Sequence, residues 1–196
     1  MISNSVKKIF ISLMVWGLCL LPLANASEYR TRVDAQLKEM LIEAFEDTSS
    51  FEDRFEAEVW MLDMSTRLEK QVPHAEDRLQ ILKHVHQEAA RAGLQPEMVL
   101  SVIQVESNFD RFAISSVGAR GLMQIMPFWL KEIGRPRDNL FDIQTNLRFG
   151  CTILSYYMKI EKDNLTRALA RYNGSLGREV YPRKVFKAFH KQWYVQ

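Results

Sequence analysis

Cysteine is nearly absent from this chain: two residues among 196, Cys19 and Cys151. Cys19 falls within the first 26 residues, where Lys7 and Lys8 precede an apolar run from Ile9 to Leu23 and Ala24-Asn25-Ala26 supplies a small-x-small pattern. That order is the order of a secretory signal, and it predicts export with cleavage after Ala26. The apolar run falls short of the roughly 20 residues that span a bilayer comfortably. Leu18 stands before Cys19 where a lipid-modified cysteine needs a small residue, so the expectation is a cleaved leader and not a lipoprotein. A mature chain of that kind keeps Cys151 alone, which excludes an intramolecular disulfide and leaves the fold to rest on its core.

Glycine and proline are scarce, eight and six residues, and alternating β-branched stretches are nearly missing. Both shortages argue against a sheet protein and for a mainly helical one. Net charge is missing too. Two of the 26 basic residues lie in the leader, so 24 face 24 acids in the mature chain, which removes any electrostatic case for a nucleic-acid partner. Metal-ligand spacing is also absent. His84 and His86 are two apart and point to different faces of a helix, while His74 and His190 have no ligand-like neighbours. No metal and no cofactor are expected. Cys151, beside Gly150 on an apolar helix, reads as a small buried residue rather than a nucleophile.

What is present is a composition of 47% hydrophobic and 26% charged residues, that of a globular chain with one domain plus a short extension. Residues 27–72 read as an N-terminal helical extension of two helices broken at Thr48-Ser49-Ser50. Leu37, Leu41, Phe45, Phe55, Val59 and Leu62 form its apolar stripe, available first for packing on the rest of the chain, and otherwise for extending a cleft or for a cell-envelope protein partner. Val72-Pro73 separates it from the rest. Over 73–196 the spacing predicts a helix from Ala75 to about Ala92, stopped by Gly93, and a second opened by Pro96 and reaching Glu106. Further helices are expected over Phe128 to Ile133, Asp142 to Ile160, Leu165 to Tyr172 and Pro182 to Gln192. A monomer is expected.

The run "VESNFDRFAISSVGARGLMQIMP", residues 105–127, interrupts this pattern. Glu106 shares a helix stripe with Val99, Val102 and Ile103, which points it toward the core. Apolar neighbours and the negative end of a helix both raise a carboxyl pKa, and a carboxyl that stays protonated near neutrality is what a general acid needs. The position alone fits a solvated helix end as well as a reagent. Gly118 and Gly121 then mark a tight turn or close approach. Met123 and Gln124 combine an apolar platform with an amide, a pairing that suits a sugar, although Leu122, Ile125 and Met126 suit a core equally.

Together with "ALARYNGS" at 168–175, this run resembles the soluble lytic transglycosylase domain, a lysozyme-like fold related also to goose-type lysozymes. Three motifs stand in the family's order: Glu106-Ser107, Gly121-Leu122-Met123-Gln124, and Ala170-x-Tyr172-Asn173-Gly174. The likeness covers about Ala75 to Gln192. It implies a helical catalytic domain that cleaves the β-1,4 bond between N-acetylmuramic acid and N-acetylglucosamine in peptidoglycan, with glycan strands as partner and a periplasmic address. By position it implies Glu106 as catalytic acid and base. Ser107, Ser115, Gly121 to Gln124, Tyr172, Asn173 and, more loosely, Tyr181 are implied in the substrate groove. Arg171 stands where the family often has a second small residue, and Ser175 where it often has a second glycine.

The resemblance also implies the chemistry. Ordinary glycosidases hold two carboxylates about 5 to 9 Å apart, and no second acid stands in the three motifs. Asp110 would share the face of Glu106 only if the helix ran on through Asn108 and Phe109. A single acid that protonates the leaving oxygen and then removes a proton from the muramic C6 hydroxyl fits this set, giving a 1,6-anhydro product. Hydrolysis on the same fold and non-catalytic peptidoglycan binding are the alternatives.

Overall fold

The structure, a computed structural model, describes residues 54–194. The leader, the break at Thr48-Ser49-Ser50 and the first helix of the extension lie outside the described residues. Seven α-helices follow one another among those that are described: α1 (Arg54–Leu68), α2 (Ala75–Ala92), α3 (Pro96–Glu106), α4 (Trp129–Ile133), α5 (Ile143–Ile160), α6 (Leu165–Tyr172) and α7 (Val180–Ala188). A π-helical turn, Phe189–Trp193, closes the series. The mainly helical class expected from the sequence is the class observed. No described helix is long and apolar enough to cross a membrane.

Local chemistry sets most boundaries. Gly93 ends α2 in the left-handed conformation, φ 68°, its N–H bonded to the carbonyls of Ala89 and Ala90. Pro96 occupies the first position of α3, where its missing N–H costs nothing. Asp142 accepts from Thr145 N at 2.8 Å to start α5, and Asn164 accepts from Arg167 N at 3.0 Å to start α6. The last helix differs from the expected Pro182–Gln192. It begins two residues earlier, which leaves Pro182 in the first turn, and widens to π pitch after Ala188.

Six consecutive residues of α3, Met98 to Ile103, are buried. A helix apolar on every side belongs at the centre of a core, and α3 packs against α2, α7 and the π turn. Its C-terminal end therefore delivers Glu106 from the middle of the molecule.

Helix α1 corrects one expectation. The stripe Phe55, Val59 and Leu62 is exposed at 71%, 53% and 51%, whereas Ala57, Met61, Met64 and Leu68 are buried. Apolar residues stand on both faces of this helix, so a 3.6-residue period could not choose between them. The buried face joins the same core as α2 and α3. Arg78 of α2, itself buried, ties across the Val72-Pro73 connection: its guanidinium donates to Ser65 Oγ at 3.1 Å, Val72 O at 2.8 Å and Pro73 O at 2.7 Å. Such an Arg is tolerated in a core because its donors are met.

Candidate active site

Glu106 is the last residue of α3, and the chain cannot continue the helix beyond it. Asn108 and Phe109 both adopt left-handed backbone, φ 49° and 69°. For residues other than glycine this costs energy that surrounding contacts must offset. Phe109 supplies them, 4% exposed and packed on Trp193 with ring centroids 5.5 Å apart. The turn carries Asp110 away from the stripe of Glu106, and its Oδ1 accepts from Phe112 N at 2.9 Å instead.

Glu106 is half-buried, and burial raises its pKa above the ordinary carboxyl value. The Tyr181 hydroxyl donates to Glu106 Oε1 at 2.6 Å and pulls the pKa part of the way back. Among the described residues, no carboxylate stands among the groups acting on Glu106. Tyr181 and Tyr172 both titrate well above the ordinary phenol, through burial first and the charge of Glu106 next, so both remain donors at neutral pH. Removing the Tyr181 donor, as in Tyr181→Phe, leaves only the effect of burial. The Glu106 carboxyl is then expected to titrate higher than in the parent, read by carbon NMR across a pH series; an unchanged or lower value would contradict this account.

The second motif forms a wall beside this helix end. Two isolated antiparallel bridges, Ile114 with Arg120 and Arg120 with Ile125, fold residues 113–125 back on themselves. Ser115 shapes one corner: its Oγ accepts from Ala119 N at 3.1 Å and its carbonyl from Gly118 N at 2.9 Å. Gly121, Leu122 and Met123 are buried, so the Leu122 and Met123 side chains belong to the core rather than to an exposed platform. Met123 packs on Gly150 of α5 so closely that a Cβ there would overlap its side chain. Gln124 has φ 50°, and its Nε2 donates to Ala113 O at 3.2 Å and Gly121 O at 3.0 Å.

Of the residues singled out from sequence, Ser107, Ser115, Gln124 and Tyr172 bond to or within this wall, Tyr181 bonds Glu106 itself, and Asn173 bonds neither. Ser107 Oγ donates to Leu122 O at 2.8 Å. The Tyr172 hydroxyl donates to Met123 O at 2.8 Å, so the hydrogen bond to Glu106 comes from Tyr181. Asn173 ends α6, exposed, with Nδ2 donating to Ser175 Oγ at 3.1 Å. Sequence reasoning missed Asn146, which is 1% exposed on α5 and bonded to the same wall. Its signal was a lone amide between Ile143, Leu147 and Gly150 on an apolar face. A recess of about 770 Å³ lined by Arg67, Lys70, Gln71, Lys191 and Gln192 shares only Asn108 with the Glu106 loop. Cys151 is fully buried and its thiol pKa is pushed up, which makes it inert.

Comparison with known proteins follows the same residues. The family model described as the transglycosylase SLT domain matches residues 83–193, more than half of the chain. Membrane-bound lytic murein transglycosylase C from Yersinia pestis (strain Pestoides F) is 32% identical over 122 residues, covering 54% of this chain. The protein of that name from Yersinia pseudotuberculosis serotype O:1b (strain IP 31758) gives the same figures. The chain spans only about a third of the length of these relatives, 32%. Among solved structures, an inactive mutant of lytic transglycosylase Slt from Pseudomonas aeruginosa aligns at TM-score 0.45 and 21% identity, over 80% of this chain and 28% of that one. The 70 kDa soluble lytic transglycosylase from Escherichia coli aligns at 0.42 and 19%, over 85% and 31%.

Proposed function

Since this chain belongs to the transglycosylase SLT domain family, we propose that it is a peptidoglycan lytic transglycosylase, cleaving the bond between N-acetylmuramic acid and N-acetylglucosamine with Glu106 as acid and then base. The observation that carries the reading is Glu106 itself: a half-buried carboxyl of raised pKa at the end of the central helix, held by Tyr181 at 2.6 Å. The names of the relatives, murein transglycosylases, support the substrate.

The chemistry balances with one carboxyl. Protonated Glu106 gives its proton to the glycosidic oxygen as the bond to C1 breaks, and the leaving sugar departs with a free hydroxyl. The Glu106 carboxylate then takes the proton of the muramic C6 hydroxyl, and the C6 oxygen bonds to C1. Glu106 ends as it began. An intramolecular nucleophile of this kind reaches a high effective concentration, which lowers the barrier by about 7 kcal/mol or more in well-oriented cases. No second carboxylate is required, and the diversion of Asp110 to Phe112 N agrees with that. Tyr181 steers the Glu106 oxygen and steadies its charge after the first transfer. Tyr172, Ser107 and Gln124 shape the wall, and Ser115 forms its corner.

In this reading residues 73–196 form the catalytic domain, with α1 of the 27–72 extension packed into its core. A cleaved leader over 1–26 would export the enzyme to the periplasm, where murein lies.

The deciding experiment is mass spectrometry of muropeptides released from intact sacculi by purified protein. The expected product carries a 1,6-anhydro muramic end. A reducing muramic end, one water heavier, would instead make the chain a hydrolase, and no release at all a binding protein.

A further inference from the structure

We propose that Asn146 is a positioning residue of this site, its carboxamide fixing the Arg120–Met123 wall in the arrangement that serves Glu106; the inference rests on the cleavage reading above. Asn146 lies on α5 within an apolar stripe and is 1% exposed. Its Oδ1 accepts from Met123 N at 2.8 Å, and its Nδ2 donates to Arg120 O at 2.9 Å and Leu140 O at 2.7 Å. The orientation is determined by the partners, because a flipped amide would set its oxygen against two carbonyls and its nitrogen against an N–H.

The reason for an amide at this place lies in the wall rather than in the helix. Residues 120–123 turn inward, with Gly121 at φ 74°; the bridge to Ile125 already meets Arg120 O, but among the described residues Leu122 O, Met123 N and Met123 O have no backbone partner. Three side chains from separate parts of the chain meet those groups. Ser107, which follows Glu106 in the chain, holds Leu122 O; Tyr172 of α6 holds Met123 O; Asn146 of α5 holds Met123 N and Arg120 O. Ser107 is tied to Glu106 by the chain itself. Asn146 supplies the remaining side, and through Leu140 O it also fixes the loop that enters α5. It does not touch Glu106, so its contribution reaches the acid only through the wall.

A residue that merely stabilises the fold changes the amount of folded protein; a positioning residue changes turnover by the folded protein. A misplacement of about 1 Å in a supporting group can lower turnover about 100-fold. Asn146→Asp separates the two cases. One carboxyl oxygen still accepts from Met123 N, while the other faces Arg120 O and Leu140 O. Ionised, it opposes both carbonyls; protonated, it returns one donor.

The test measures kcat and KM on murein for folded full-length Asn146→Asp and Asn146→Ala, each divided by the parent at every pH from 5 to 8. It adds hydrogen exchange of the Met123 amide. The expected result is a kcat lowered by about 10- to 100-fold at pH 8 with KM within threefold. The Asp variant should recover part of that loss as pH falls, and the Ala variant should not. The Met123 amide should exchange at least tenfold faster in both variants while Val102 and Ile103 stay protected. A kcat within threefold of the parent for folded Asn146→Asp at pH 8 overturns the proposal, as does an unchanged Met123 amide. Should the Ala variant fail to fold, the Asp variant decides alone. A parent without activity on murein would strike the cleavage reading, and the exchange result would still decide whether Asn146 holds the wall.

Discussion

Glu106→Gln is expected to abolish bond cleavage while leaving the fold in place. Gln keeps the size and a carbonyl oxygen for Tyr181 but has no acidic proton to deliver and no carboxylate to receive one. Loss of general acid or base action alone costs about 10²- to 10⁴-fold in rate, and here one residue is asked to do both. Muropeptide release from sacculi is the readout, with helical circular dichroism as the check on folding. Anhydro-product formation near the parent rate would remove Glu106 from the mechanism.

The same substitution has a stability consequence whose sign follows from linkage. Burial raises the Glu106 pKa in the folded protein above its ordinary value of 4.5. Between 4.5 and the folded value the native state binds more protons than the unfolded one, so stability falls as pH rises through that window. Glu106→Gln carries no such penalty. It should therefore unfold at a higher temperature than the parent at neutral pH. The advantage should shrink as pH falls through that window and be gone below 4.5, where Glu106 is protonated in both states. A variant less stable than the parent at pH 7 would mean that the Tyr181 contact outweighs the cost of burial.

The second large effect is expected at Gly121. A Cβ there would overlap Asn146 Nδ2 and Leu140 O, and φ is 74°. One obstacle is backbone and the other is an amide already committed to three partners, so neither yields easily. Left-handed strain and overpacking each cost about 1–3 kcal/mol, and Gly121→Ala is predicted to lose about 2–6 kcal/mol in total, seen as a lower thermal midpoint. Gly118 is the internal control. Its φ is 85° but nothing lies within 4 Å of its absent Cβ, so Gly118→Ala should lose only the conformational part. Equal losses at the two positions would show that crowding against Asn146 contributes nothing.

Much of this site is legible in the sequence. Helix boundaries at Gly93, Pro96, Asp142 and Asn164 follow from capping chemistry that acts over a few residues. Counting along the chain places Glu106 on an apolar stripe, and three short motifs in order point to the family. The facing of α1 is not legible in the same way, because Phe55, Val59 and Leu62 compete with Met61, Met64 and Leu68 for the core. Periodicity carries no information about which side a neighbour will cover. Tyr172 and Tyr181 show the same limit. Both lie near Glu106, but which hydroxyl reaches it depends on the relative placement of α6 and α7.

The sequence by itself determined the class of the fold, the stops and starts of its helices, and one acid at the end of an apolar helix, because these depend on propensity, capping and spacing within a few turns. Only the tertiary structure decided what that acid meets. The Tyr181 contact to Glu106, the wall held by Ser107, Tyr172 and Asn146, and the seat of Met123 on Gly150 each join separate segments of the chain. Their distances are set by how helices pack around α3, a property of the whole core that no local stretch encodes.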